Sequence, residues 1–299
     1  MAQPFLKWAG GKRKLVPEIL ALMPATFGSY HEPFLGGGAL FWALDLAYRE
    51  TGKGQAFLSD MNARLVNAYV AVRDDVEALM DELRTYPYEK EFYLKTRSRL
   101  DEGTSAQRAA RFIYVNRAGF NGMYRVNQRG EFNIPFGRYT NPTICDVSRL
   151  RDCSDALQGS YVRHEDFTEA VSRAVEGDFV YFDPPYLPIS KTSDFTGYTE
   201  GGFSLEDHRR LRNVAQMLAA RGVHVLISNS NAPDILELYA KGFEIKPVRM
   251  MRSINANGKG RGSVEELLIQ PKAGYYDDIT AYLKQPAQDD PDDDGGYVQ

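Results

Sequence analysis

Two parts of the chain alternate short apolar runs with amphipathic segments, the rhythm of strands and helices in turn. The first part predicts a strand at Tyr30 to Phe34, a glycine-rich turn, a helix from about Ala39 to Arg49, a strand at Gln55 to Leu58 and a helix after Asn62. The second predicts strands at Tyr161 to Arg163, Phe179 to Phe182, Val223 to Ser228, Phe243 to Val248 and Glu266 to Ile269. Helical stretches are expected near Glu169 to Val175, Leu205 to Ala220 and Pro233 to Tyr239. Strands alternating with helices imply an α/β fold whose mostly parallel sheet is covered on both faces. Residues 84–158 lose this rhythm and are rich in Arg, Asn, Tyr and Phe, so they are expected to form a smaller inserted domain. The first and third segments, 1–83 and 159–275, would then make one domain together, with 276–299 as a tail. That tail ends in AQDDPDDDGGYVQ, acidic and poor in apolar residues, and is expected to be disordered.

With 299 residues, 43% of them hydrophobic and 25% charged, the chain has the balance of an ordinary globular protein. Its apolar runs, such as Gly38 to Leu44, are too short to span a bilayer, and lysines interrupt the N-terminus at Lys7 and Lys12. A cytoplasmic protein without membrane contact is expected. The two cysteines, Cys145 and Cys153, lack the spacing of a zinc site or of a disulfide framework. The net charge of −4 hides an asymmetry, because residues 84–163 hold 14 Lys and Arg against 8 Asp and Glu. A basic segment within a mildly acidic chain suits a phosphate-facing surface, although a merely solvated face would look the same.

Three segments carry candidate chemistry. In His31-Glu32-Pro33-Phe34-Leu35-Gly36-Gly37-Gly38 a strand runs into glycines that open a helix, a turn that lets a ligand approach the backbone. Asp60 ends the next predicted strand, where a carboxylate can accept hydrogen bonds from both hydroxyls of a ribose; the plainer reading is a cap on the following helix. Gly10-Gly11-Lys12 does not make a phosphate loop, since Arg13 follows the lysine and no glycine precedes at the required spacing. The most specific segment is Phe179-Val180-Tyr181-Phe182-Asp183-Pro184-Pro185-Tyr186. An apolar strand delivers an aspartate, the prolines stiffen the exit, and an aromatic ring follows. Asp183 and the Pro184 carbonyl would accept the two N–H groups of an amine on a planar base, with Tyr186 stacked on its ring.

At these residues the chain resembles the Dam family of DNA adenine N6-methyltransferases, which depend on S-adenosylmethionine. The resemblance runs from Phe5 to about Lys272 through FLKWAGGK, EPFLGGGALF, SDMN, NRAGFNGMYRVNQRGEFNIPFGRY, DPPYLPIS, FTGY, LISN and RSINANGKGRGSVEELL. The DPPY segment is shared with other amino-methyltransferases, whereas the block from Asn116 to Tyr139 narrows the match. The acidic tail has no counterpart in the family.

The resemblance implies a Rossmann-like methyltransferase domain with an inserted, mainly helical target-recognition domain. It implies methyl transfer to adenine N6 in double-stranded DNA at GATC, without a metal, by a monomer working at the nucleoid. Asp183, Pro184 and Tyr186 would be catalytic. Trp8, Lys12, Phe34, Gly36, Gly38, Asp60, Asp166 and Phe167 would hold the cofactor, Asp183 adjoining it. Arg125 would read a guanine through O6 and N7, and Lys7 the outer guanine. Arg117, Phe120, Asn121, Met123, Pro135 and Tyr139 would contact or intercalate the DNA. For Arg125 and Lys7 the alternative is a phosphate contact that positions without reading. Of the rival functions, an N4-cytosine methyltransferase needs the same carboxylate and aromatic platform. A non-enzymatic DNA-binding protein would leave Asp60, Asp183 and Tyr186 without purpose, and a dinucleotide oxidoreductase would need a different glycine pattern.

Overall fold

The computed structural model describes residues 2–8, 10–44, 54–187, 202–251 and 263–276. The far end of the helix expected to Arg49, the FTGY segment, most of the run from Arg252 and the acidic tail lie outside the described residues.

Seven strands form one sheet: β1 (Tyr30–Glu32), β2 (Ala56–Asp60), β3 (Tyr161–His164), β4 (Phe179–Phe182), β5 (His224–Ser230), β6 (Phe243–Met251) and β7 (Ser263–Pro271). Their order is β3-β2-β1-β4-β5-β7-β6. The first five pair in parallel and β7 runs antiparallel to both β5 and β6. This is the α/β fold expected, with an antiparallel edge added to a parallel sheet.

Strand period two divides the core between the two faces of the sheet. Phe179, Tyr181, Leu226 and Leu268 enter one apolar cluster, while Val180, Phe182, Val225, Ile227, Leu267 and Ile269 enter the other. Central strand β4 is therefore buried throughout, as a strand covered on both faces must be. Edge strand β3 buries only Val162.

The helices are α1 (Val16–Leu22), α2 (Ala63–Asp74), α3 (Val76–Arg84), α4 (Lys90–Arg97), α5 (Ser105–Ala118), α6 (Val147–Leu157), α7 (Phe167–Ala170), α8 (Leu205–Ala220) and α9 (Pro233–Tyr239); residues 39–44 are helical too. Their starts are written locally. Thr104 with Gln107 and Ser204 with Asp207 form reciprocal capping boxes, and Pro17 and Pro233 stand in the first turns of α1 and α9. The helix expected from Glu169 to Val175 is different: α7 is a single turn, from Phe167 to Ala170, followed by turns that close on Asp178. The Asp178 carboxylate accepts the amides of Val175 and Ser29, which holds this segment to β4 as a loop.

Within residues 84–158, α4, α5 and α6 account for the helical part, and residues 119–146 are irregular apart from one 3-10 turn at Phe120–Gly122. Helix α5 buries residues on most of its circumference and packs on α2, α3 and α4. One continuous cluster joins Phe112, Tyr114, Leu150 and Leu157 to Leu58, Leu65 and Tyr69. The insert therefore shares an apolar core with the sheet rather than standing apart on a linker.

Candidate active site

The carboxyl ends of β1, β2 and β4 converge on a cavity of about 540 Å3. It lies where the strand order reverses on either side of β1 and β4, the place at which open parallel sheets bind ligands. Its wall contains Trp8, Lys12, Phe34, Gly36, Gly38, Asp60, Asp166, Phe167, Asp183, Pro184 and Tyr186. All the residues expected at the cofactor or the reaction are thus brought into one space.

The turn after β1 hangs on β2. The Gly36 amide donates to Asp60 Oδ2 at 2.9 Å, and the Asn62 amide to Asp60 Oδ1 at 2.8 Å. Gly36 has φ +48° and Gly38 φ +64°, left-handed values that favour glycine. Beneath the turn, Tyr69 donates to the Gly36 carbonyl and Trp42 to the Gly37 carbonyl. The capping alternative for Asp60 fails, because the α2 cap is Asn62, which accepts the amides of Arg64 and Leu65. Burial pushes the Asp60 carboxyl above its ordinary range, against the pull of the two amides it accepts.

Phe34 stacks with Phe167, and the Arg210 guanidinium lies 4.5 Å over the Phe167 ring. Asp166 caps α7 by accepting the Thr168 amide, and pairs with Arg210 at 2.8 Å. Trp8 stacks on Tyr124, ring centroids 5.4 Å apart.

Asp183 is held by two donors that share one oxygen. Ser228 donates to Oδ1 at 2.7 Å and the Lys12 ammonium lies 3.2 Å from the same atom, so Oδ2 keeps no bond among the described residues. Burial raises the Asp183 carboxyl, while Lys12 and Ser228 oppose that rise. Lys12 also lies 4.3 Å from the centre of the Tyr186 ring and 3.6 Å from Glu266. The Tyr186 hydroxyl donates to Glu266 Oε2 at 2.7 Å. Glu32 at the end of β1 is 2% exposed, accepts the Tyr30 hydroxyl, and is pushed up to about 8 by burial. Glu32, Ser228 and Glu266 carry no local signal in the sequence that marks them as site residues. Each stands inside a matching segment, in EPFLGGG, LISN or VEELL, but none shows its role until the strands are paired.

The residues expected at DNA gather at the insert beside this cavity. The Phe120 amide donates to the Pro135 carbonyl, and both side chains are exposed. Asn121 is exposed too, at φ +55°, while Met123 packs partly against the core. Arg125 is exposed and uses Nε on Asn133 Oδ1 at 2.8 Å. Lys7 places its ammonium 4.7 Å over the Tyr139 ring, and burial, then the nearby Arg117 charge, pushes its amine down. Arg117 is turned further inward than expected of a DNA contact: its Nε donates to the Phe5 carbonyl, and burial lowers its basicity.

The fold and this cavity define an α/β methyltransferase. The chain matches the sequence family described as D12 class N6 adenine-specific DNA methyltransferase over residues 8–254. It therefore belongs to that family, which leaves the N4-cytosine alternative without support. It is 43% identical over 276 residues to the type II methyltransferase M1.LlaDCHI of Lactococcus lactis subsp. cremoris, covering 89% of this chain and 94% of that one. It is 39% identical over 287 residues to the type II methyltransferase M.MjaIII of Methanocaldococcus jannaschii, at 89% and 98% coverage. The DNA adenine methylase of Escherichia coli strain K12 is 35% identical over 275 residues, at 90% and 95%. No helix among the described residues is long and apolar enough to cross a membrane.

Proposed function

We propose that this enzyme transfers a methyl group from S-adenosylmethionine to N6 of an adenine turned out of double-stranded DNA, with GATC as its site. The observation that carries the reading is the state of Asp183: Oδ1 is engaged by Ser228 and Lys12, Oδ2 has no bond among the described residues, and Pro184 and Tyr186 line the same cavity. An amine with two N–H groups on a flat ring suits that arrangement.

The cavity has acceptors and apolar walls that fit the cofactor. Asp60 would hold the ribose hydroxyls, Phe34 and Phe167 the adenine, and Trp8 with the Gly36–Gly38 turn would close around the remainder; Asp166 borders the same wall. Lys12 lines the same cavity and lies 3.2 Å from Asp183 and 4.3 Å from the Tyr186 ring centre, so it would meet the cofactor next to the transfer site. Bound S-adenosylmethionine supplies a methyl group on a positively charged sulfur, and this chemistry calls for no metal.

The residues of the chain supply position and electrostatics. Adenine N6 is a poor nucleophile because its lone pair is delocalised into the ring. Two hydrogen bonds, to Asp183 Oδ2 and the Pro184 carbonyl, favour a pyramidal nitrogen with its lone pair free. The nitrogen becomes strongly acidic only once it carries a fourth bond, so Asp183 need not be a strong base. Tyr186 stacking offsets part of the cost of unstacking, a few kcal/mol. Arg125 and Lys7 would read guanines, and Phe120, Asn121, Met123, Pro135 and Tyr139 would contact the bases or fill the gap. Arg117 would act mainly by supporting the Phe5–Lys7 backbone. Residues 84–158 would be the target-recognition part and 1–83 with 159–275 the catalytic part, in a cytoplasmic monomer acting at the nucleoid.

The test incubates the protein with labelled cofactor and unmethylated DNA, then maps the modified base and its sequence context. N6-methyladenine within GATC, lost with Asp183→Ala, is the expected result. Label at another sequence would overturn the GATC assignment, and undiminished transfer by Asp183→Ala the catalytic one.

A further inference from the structure

Glu266 stands 80 residues from Tyr186 in the chain, yet touches the centre of the proposed site. Because β7 runs antiparallel to β5, with Glu266 opposite Ser230, it is delivered to the edge where β4 and β5 end. One of its oxygens accepts the Tyr186 hydroxyl at 2.7 Å and lies 3.6 Å from the Lys12 ammonium. That ammonium lies 3.2 Å from Asp183 and 4.3 Å from the Tyr186 ring centre. Glu266 thus bonds the hydroxyl of the ring expected to carry the base and also approaches the cation beside the catalytic aspartate.

A stacking platform needs only a flat face, and the phenol oxygen adds nothing to stacking itself. The hydroxyl has another use here. Tethering it fixes the far end of the ring, while Pro184 and Pro185 stiffen the near end. Free rotation about the side-chain torsions is then lost before any base arrives, which is preorganisation rather than binding. Burial and the neighbouring carboxylates Asp183 and Glu266 hold the Tyr186 hydroxyl well above its ordinary range, so it keeps the proton it donates.

We propose that Glu266 is a positioning residue of the methyl transfer: its bond to the Tyr186 hydroxyl sets the plane of the ring, and its share of Lys12 keeps that cation from being committed to Asp183 alone. The proposal rests on the reading of Asp183 to Tyr186 as the transfer site. It concerns a group that does not itself meet the base.

The experiment measures single-turnover rates at saturating DNA and cofactor for Glu266→Ala, Glu266→Gln, Tyr186→Phe and the double variant Glu266→Ala with Tyr186→Phe, with Asp183→Ala as reference. Loss of a charge-assisted hydrogen bond predicts a fall of about ten- to a hundredfold for Glu266→Ala, with the KM for cofactor within about twofold. Glu266→Gln keeps a carbonyl acceptor for the hydroxyl and should recover most of the rate. If the two groups act together, the double variant is no slower than Glu266→Ala alone. Wild-type turnover by Glu266→Ala, equal losses in the Ala and Gln variants, or a double variant slower by the product of the single losses would each overturn the proposal. Should Asp183→Ala also turn over normally, the transfer site itself has been misread; if Asp183→Ala is inactive, only the role of Glu266 falls.

Discussion

Replacing Glu32 by glutamine should change how stability depends on pH while leaving the packing of β1 in place. Glu32 is 2% exposed, and burial moves it from its ordinary 4.5 to about 8 despite bonds from the Tyr30 hydroxyl and the Phe41 amide. Below pH 4.5 both folded and unfolded chains hold its proton. Between 4.5 and 8 only the folded chain does, so raising the pH draws the equilibrium toward the unfolded state, and above 8 this loss is complete. A shift of this size corresponds to on the order of 4 to 5 kcal/mol lost across the whole window, at 1.36 kcal/mol per pH unit. Glutamine has nearly the shape of the protonated acid and does not titrate. The advantage of Glu32→Gln over the wild type should therefore grow by about 3 to 4 kcal/mol from pH 5 to pH 8. Urea denaturation of both proteins at half-unit steps of pH measures this directly. Stability curves that stay parallel to within about 0.5 kcal/mol across that range would refute the reasoning, because Glu32 would then be ionised in the folded chain.

Asp60→Ala should raise the KM for S-adenosylmethionine at least about tenfold and change the rate at saturating cofactor much less, since a contact remote from the sulfur acts mainly in binding; an unchanged KM would restrict Asp60 to holding the Gly36 and Asn62 amides. Gly38→Ala should destabilise the protein by about 2 to 4 kcal/mol in urea, from left-handed backbone strain and crowding, because a Cβ there would lie 2.9 Å from both Trp42 Nε1 and Tyr69 Oη. Arg125→Ala should relax discrimination at one guanine by about 1 to 3 kcal/mol when the cognate site is compared with its single-base variants. Uniform weakening, with a salt slope shallower by about one, would instead mark Arg125 as a phosphate contact.

The local pattern placed the seven strands to within a few residues and put candidate chemistry at the ends of β1, β2 and β4. Phe179–Phe182 is apolar throughout because both of its faces are covered, and Asp183 follows because the sheet ends there. The glycine turn, Asp60 and the DPPY segment were legible as types of residue at strand ends. The starts of α8 and α9 were legible too, since caps and prolines act within one turn. The one-turn α7 was not, because the carboxylate of Asp178 draws the following residues out of the helix by bonds that no periodicity reports. Which strands are neighbours was decided only by the folded chain, because alternation assigns a face and carries no information about the partner across the ladder. Antiparallel pairing of β7 with β5 turns Glu266 from an ordinary strand residue into a neighbour of Tyr186 and Lys12. Burial at the same edge sets the charge state of Glu32, a property of the surrounding medium that the letter E in the sequence does not contain.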